Sequence, residues 1–238
     1  MPDTRQLIAL ITGASSGIGR AISVLLSTAG YHCVLVSRDV DKLTQTERGI
    51  QAVGGACTVI PADIRSAEQI EDLYERTSAL GFVSVIVNNA GFGKFSKFEE
   101  STIEDWDAQM AVNLRGAFLI SRKFVPAMQK HGQGTLIFMN SVAGKRGYPF
   151  SAAYVASKYG LRGLAESLRE ELRKDNIRVI SVHPGAIDTP FWDDVKTDFP
   201  REEMLTPQMV ASSVVHAITS PEPSVIEELV LRRVGGDF

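Results

Sequence analysis

The chain of 238 residues has little cysteine, no long apolar run and no large excess of charge. Each shortage removes a class of function. Only Cys33 and Cys57 occur, both inside apolar runs that read as strands. Thiols placed there are expected to stay reduced in the core, and two cysteines alone supply neither a disulfide framework nor a metal site. Residues 1–6 are polar and no apolar stretch reaches about 18 residues, so neither a signal peptide nor a membrane span is expected. A soluble, cytoplasmic protein is the expectation. A formal charge of −3 gives no basis for binding nucleic acid or an anionic membrane surface. Internal repeats, low-complexity tracts and linker-like breaks in composition are also missing.

What remains is a 44% hydrophobic chain with ample material for a buried core. Short apolar runs at 7–11, 32–37, 57–61, 83–88, 135–140, 178–182 and 225–231 read as strands. Helical spacing occupies 17–29, 39–53, 66–79, 101–129, 153–174 and 207–220. Continuously apolar strands imply a sheet buried on both faces, and strict alternation with helices implies parallel order with right-handed crossovers. The expected fold is α/β, a doubly wound seven-stranded parallel sheet with helices on both faces, in one domain over 1–238. Segment 186–206 lacks periodicity and is rich in Asp, Pro and aromatics. It reads as a lid over a cleft.

Between the first strand and the first helix lies Thr-Gly-Ala-Ser-Ser-Gly-Ile-Gly, residues 12–19. Gly13 permits a tight turn, while Gly17 and Gly19 clear side chains where backbone must approach phosphate and sheet. Helix N-terminal amides would then face a pyrophosphate. At the end of the second strand, Ser37 and Arg38 stand where a dinucleotide's adenosine ribose is read. Arg there suits a 2′-phosphate and favours NADP over NAD. Asp39 reads as the N-cap of the next helix.

Tyr154 and Lys158, four residues apart, share one helix face. A phenol titrates near pH 10, and a fixed cation beside it lowers that value, so Tyr154 is expected to exchange protons near neutrality.

With Asn88-Asn-Ala-Gly91, Asn113, Ser141, Tyr154-Val-Ala-Ser-Lys158, Pro184-Gly185 and Thr189 added to the glycine turn, the chain resembles the short-chain dehydrogenase/reductase family. The resemblance runs over essentially the whole length. It implies a Rossmann-type domain with a cofactor-binding part over about 1–140 and a catalytic and substrate part over about 141–238. It implies a catalytic tetrad of Asn113, Ser141, Tyr154 and Lys158. Tyr154 would exchange the proton, Ser141 would bond the carbonyl oxygen, and Lys158 would hold the nicotinamide ribose. Asn113 would position a water linking Lys158 to solvent. The cofactor, NADP(H), would lie against the turn residues Gly13, Ser15, Ser16, Gly17, Ile18 and Gly19, with Ser37 and Arg38 at the ribose. Asp63 and Ile64 would meet the adenine end. Asn89, Ala90 and Gly91 would follow the fourth strand, Asn88 supporting that end of the sheet. Pro184, Gly185, Ile187 and Thr189 would face the nicotinamide, with Tyr154 and Lys158 touching it as well. No metal is expected.

Phe92, Phe95, Val142, Ala143, Tyr148, Phe150, Phe191 and Trp192 form a strongly apolar set around the expected nicotinamide end. They suit a hydrophobic or aromatic small-molecule substrate. Lys145 and Arg146 add charge beside Ser141, which keeps reduction of a 3-oxoacyl thioester open beside simple carbonyl reduction. A non-catalytic NADP-sensing protein of the same fold is a further alternative. The two long helices carry apolar positions beyond one stripe, and the resemblance implies that they pair between subunits in a homodimer or homotetramer. His183 reads as structural.

Overall fold

The β-branched and aliphatic runs become β1 (Ile8–Thr12), β2 (His32–Ser37), β3 (Ala56–Pro61), β4 (Val83–Asn88), β5 (Gly134–Met139), β6 (Ile177–Pro184) and β7 (Glu228–Leu231) in a computed structural model. The structure describes residues 7–193, 195 and 199–236; residue 194 and residues 196–198 of the expected lid lie outside the described residues. Between the strands run α1 (Gly17–Thr28), α2 (Val40–Ala52), α3 (Ala67–Ser78), α4 (Ile103–Met110), α5 (Ala117–His131), α6 (Ala152–Leu172) and α7 (Pro207–Thr219).

All strands are parallel, in the order β3-β2-β1-β4-β5-β6-β7. Alternating side chains feed two cores. Ile8 and Leu10 of β1 pack with α3, α5 and α6, whereas Ala9 and Ile11 pack with α1, α2 and α7. That two-sided burial is why the strands read as unbroken apolar runs. The chain winds away from β1 in both directions, first through β2 and β3 and then through β4. A crevice opens at the carboxyl ends of such strands, at the point where the winding reverses. Asp39 caps α2 as its sequence position suggested, accepting from the Lys42 amide at 3.0 Å.

Two elements depart from the sequence reading. The single helix expected over 101–129 divides into α4, a π-helical segment Ala111–Gly116, and α5. The wider turn brings the Asn113 amide onto the backbone of Phe92, accepting from its N–H at 3.0 Å and donating to its carbonyl at 2.9 Å. Helical periodicity does not register a contact 21 residues away. Strand β6 extends through His183 and Pro184, beyond the expected end at 182, because the edge strand β7 pairs with both of them. Among the described residues no helix is long and apolar enough to cross a membrane.

Candidate active site

Thr12 closes β1 and ties the glycine turn to the end of β4. Its hydroxyl donates to the Val87 carbonyl at 3.3 Å and accepts the amides of Asn89 and Ala90 at 3.0 and 3.1 Å. The Asn89 side chain returns two bonds, to the carbonyls of Thr12 (2.9 Å) and Gly13 (3.2 Å). This brace leaves no room for side chains. Gly13 has φ +65°, and a Cβ there would lie 2.8 Å from Asn89 Nδ2. A Cβ on Gly19 would lie 2.3 Å from the Gly13 carbonyl oxygen. Ser16, the N-cap of α1, makes no side-chain capping bond, unlike Asp39, Ser66, Thr102 and Thr206 at their helices. Amides at the head of α1 are thereby left for an anion.

The turn borders a cavity of about 970 Å³ at the carboxyl ends of the strands, at the upper end of the range for small-molecule and cofactor sites. Gly13, Ser15, Ser16, Gly17, Ile18, Ser37, Arg38, Asp63, Ile64, Asn89, Ala90 and Gly91 line it, as do Pro184, Gly185, Ile187 and Thr189. Ser141, Tyr154 and Lys158 face the same space. Two expected residues do not. Gly19 is buried under the turn, against Gly13. Asn113 is buried behind Gly91 and Phe92; besides its bonds to Phe92 it donates to Ser157 Oγ at 3.0 Å, which in turn donates to the Tyr154 carbonyl at 2.7 Å. Its visible work is to tie the loop after β4 to α6. Asn88, next to that loop, donates to Ser121 Oγ at 3.1 Å.

The adenosine end fits a phosphorylated dinucleotide. Arg38 Nη1 stands 4.0 Å from Asp63 Oδ2 with its side chain 67% exposed. Arg65 grips Asp63 more closely, at 2.5 Å, and this hydrogen bonding holds the Asp63 carboxyl below the usual range. With Asp63 already held by Arg65, Arg38 can turn to an incoming phosphate.

Ser141 caps a short 3-10 turn, Val142–Gly144, its hydroxyl accepting the Ala143 amide at 3.1 Å. The Ser141 hydroxyl acts on the Tyr154 phenol, favouring its ionised form slightly. Lys158 is only 4% exposed, and its Nζ donates to the Met139 carbonyl at 2.8 Å, anchoring it to the end of β5. Burial pushes the Tyr154 phenol up to about 12, against a smaller lowering by the Ser141 hydroxyl. The same burial pulls the Lys158 ammonium down to about 8. The expectation that Lys158 lowers the Tyr154 value is therefore not met. Nζ is directed at Met139 and stands 5.7 Å from the phenol ring centre, while desolvation of the phenolate dominates.

All eight apolar residues expected around the substrate do line the cavity. Rings of Phe95, Tyr154, Phe191, Trp192 and Phe199 meet edge to face or tilted at 5.2–6.0 Å, with Phe95 and Trp192 within 7° of parallel. Lys145 and Arg146 do not line it. Lys145 donates to Glu228 of β7 at 2.6 Å, and Arg146 lies over the Tyr148 ring and bonds its hydroxyl. His183, fully buried, presents Nδ1 to the Ser141 carbonyl at 3.2 Å, so that nitrogen carries the proton. Sequence reasoning missed Arg233 and Gly236, which line the cavity from the C-terminal tail, where no motif marks them. The described ends of segment 186–206 are tied down by a bridge between Ile187 and Leu205 and by Arg201, which donates to Asp188, Asp193 and the Thr189 carbonyl.

The family model described as short chain dehydrogenase matches residues 7–199. A sepiapterin reductase of Chlorobaculum tepidum is 36% identical, the match covering 97% of this chain and 98% of that protein. Among solved structures, a metagenomic short-chain oxidoreductase in complex with NADP is 37% identical with a TM-score of 0.85, over 96% of this chain and 97% of the other. An alcohol dehydrogenase from the archaeon Thermococcus sibiricus, complexed with 5-hydroxy-NADP, is 31% identical with a TM-score of 0.88, over 97% of each chain. The match to the family model runs from the start of β1 to residue 199, and the relatives extend it over nearly the whole chain, so this protein belongs to the short-chain dehydrogenase family of oxidoreductases.

Proposed function

We propose that the protein is an NADP(H)-dependent carbonyl reductase acting on a hydrophobic small molecule, and that Asn113, Ser141, Tyr154 and Lys158 carry the reaction. The observation that carries this reading is the convergence of Ser141, Tyr154 and Lys158 on one cavity that also receives the glycine turn and Arg38. The amides at the head of α1 and Asn89–Gly91 would hold the cofactor, with Arg38 and Ser37 at the 2′-phosphate and Ile187 and Thr189 at the nicotinamide. Bound there, the cofactor supplies the hydride for carbonyl reduction or takes it in alcohol oxidation.

The chain's own work concerns the proton and the developing charge. With its phenol pushed up to about 12, Tyr154 is protonated at neutral pH, the state required to donate to a carbonyl oxygen as negative charge grows there. Ser141 supplies a second donor to the same oxygen. Lys158, pulled down to about 8, exchanges protons close to neutrality and is suited to resupply the site. Asn113 acts through its hold on Phe92 and Ser157, which fixes the carbonyl side of Tyr154's own turn. Reduction of a free ketone or aldehyde is favoured over reduction of a 3-oxoacyl thioester because Lys145 is engaged by Glu228. The names of the relatives, a sepiapterin reductase and an alcohol dehydrogenase, support carbonyl–alcohol interconversion, and the NADP and 5-hydroxy-NADP held by the two solved structures support the cofactor choice. The exposed Ile103, Trp106, Phe118 and Tyr159 on α4–α6 support a homo-oligomer.

The test is nicotinamide oxidation followed by absorbance with NADPH and with NADH, across aromatic and aliphatic ketones, aldehydes, sepiapterin and a 3-oxoacyl thioester. Turnover of a ketone or aldehyde with NADPH is expected. Preference for NADH refutes the role of Arg38, and binding of NADPH without turnover of any carbonyl refutes the reductase.

A further inference from the structure

Phe150 combines a strained backbone, an exposed ring and a place at the cleft. Its φ is +62°, the left-handed region that bulky side chains avoid. Its side chain is 62% exposed, so the ring adds little to either core. It nevertheless lines the cleft, together with Tyr148 and Phe95.

The conformation is imposed by its neighbours. The Ser96 amide donates to the Phe150 carbonyl at 2.9 Å. Ser151, buried, donates through its hydroxyl to the carbonyls of Tyr148 (2.6 Å) and Pro149 (3.2 Å), and its own carbonyl accepts the Val155 amide at 2.8 Å. The same turn opens α6 and so leads directly into Tyr154. A backbone fixed in this way would be met more cheaply by Gly or Asn. An exposed apolar ring held in a strained turn, at the edge of a cavity walled by Phe95, Phe191 and Trp192, gains its stabilisation only when an occupant covers it.

We infer that Phe150 is a specificity-determining residue that stacks on a flat conjugated ring attached to the reacting carbonyl, so that the substrate class is aryl or heteroaryl ketones and diketones. The inference rests on the carbonyl-reductase reading above.

Two substitutions separate the ring from the strain. Phe150→Asn keeps a residue that tolerates the left-handed region and removes the ring. Phe150→Tyr keeps both ring and strain. The readouts are the melting temperature of the full chain and the ratio of kcat/KM for two substrates, diacetyl and its analogue with one methyl replaced by phenyl. Phe150→Asn is expected to melt about 2–6 °C higher than the wild type and to lose roughly five- to tenfold in its preference for the phenyl compound. Phe150→Tyr should match the wild type in both.

A lower melting temperature in Phe150→Asn with the preference intact means the ring is part of the packing and overturns the inference. So does a higher melting temperature with the preference intact. A change in sedimentation behaviour with the preference intact assigns the ring to contact with a second copy of the chain, which also overturns it. Wild-type protein that binds NADPH but reduces neither diketone nor any other carbonyl refutes the underlying reading, and this inference with it.

Discussion

Replacing Lys158 by Met should make the protein more stable while removing its turnover, because the buried ammonium is a burden on the fold. The Lys158 side chain is 4% exposed, and among the described residues it bonds one acceptor, the Met139 carbonyl, and pairs with no carboxylate. Its ammonium falls from 10.5 to about 8 on folding, with burial as the cause. At 1.36 kcal/mol for each tenfold change, that corresponds to about 3 kcal/mol of destabilisation at neutral pH. Met matches the stem in length and removes the charge, but leaves the Met139 carbonyl without its donor, a loss of about 1 kcal/mol. The net gain is about 2 kcal/mol, or roughly 4–8 °C in melting temperature for a chain of this size. The pH dependence gives the sign. Below about pH 8 both folded and unfolded chains hold the proton, so the gap between variant and wild type is constant. Between about 8 and 10.5 the unfolded chain binds more protons than the folded one, so the wild type gains up to about 1.4 kcal/mol per pH unit and the gap closes. Tyr154 intrudes only above its unfolded value of 10.0, where its raised folded value makes stability fall with pH. Thermal melts without cofactor from about pH 6.5 to 9.5 therefore test the reasoning. A Lys158→Met protein less stable than the wild type at pH 7, or a gap that does not narrow above pH 8, would refute it.

Other outcomes follow from the same geometry. Tyr154→Phe should keep NADPH binding by titration yet lower kcat by about 10²–10⁴-fold, since it removes only the proton donor; loss of binding instead would assign the ring to the cofactor site. Arg38→Ala should weaken NADPH binding by roughly ten- to a hundredfold, the worth of a charge-assisted contact, and leave NADH binding nearly unchanged. Equal losses for both cofactors would place Arg38 away from the 2′-phosphate. In Gly19→Ala the new methyl would lie 2.3 Å from the Gly13 carbonyl and 2.5 Å from Asn89 Nδ2, so the turn must move. Calorimetry should show cofactor affinity falling together with stability, and an unchanged affinity would mean the turn does not hold the pyrophosphate.

The line of the chain already carried the sheet, most of the helix boundaries, the glycine turn and the Tyr154–Lys158 spacing. Strand and helix periods are local, and a two-sided sheet writes itself as continuous apolar runs. The family followed because its motifs are short stretches with fixed residues. The sequence also named most of the residues that line the cavity, since many follow the carboxyl ends of successive strands and those ends converge in any doubly wound sheet.

Only the tertiary structure decided the rest, where the outcome depends on which distant groups meet. Asn113 lies in a π-helical segment turned onto Phe92, a partner that helical spacing does not reveal. Lys145, promising as an anion handle, is taken by Glu228 from 83 residues away. Arg233 and Gly236 reach the cavity because β7 pairs beside β6 and delivers the tail there. The proton affinity of Tyr154 runs against expectation, because its burial outweighs the attraction of Lys158, whose spacing is legible in the sequence while the solvation of the pair is not. Phe150 looks like an ordinary apolar residue until its φ is known. Spacing along a chain fixes what is near in sequence; desolvation, backbone strain and long-range pairing exist only once the chain has closed on itself.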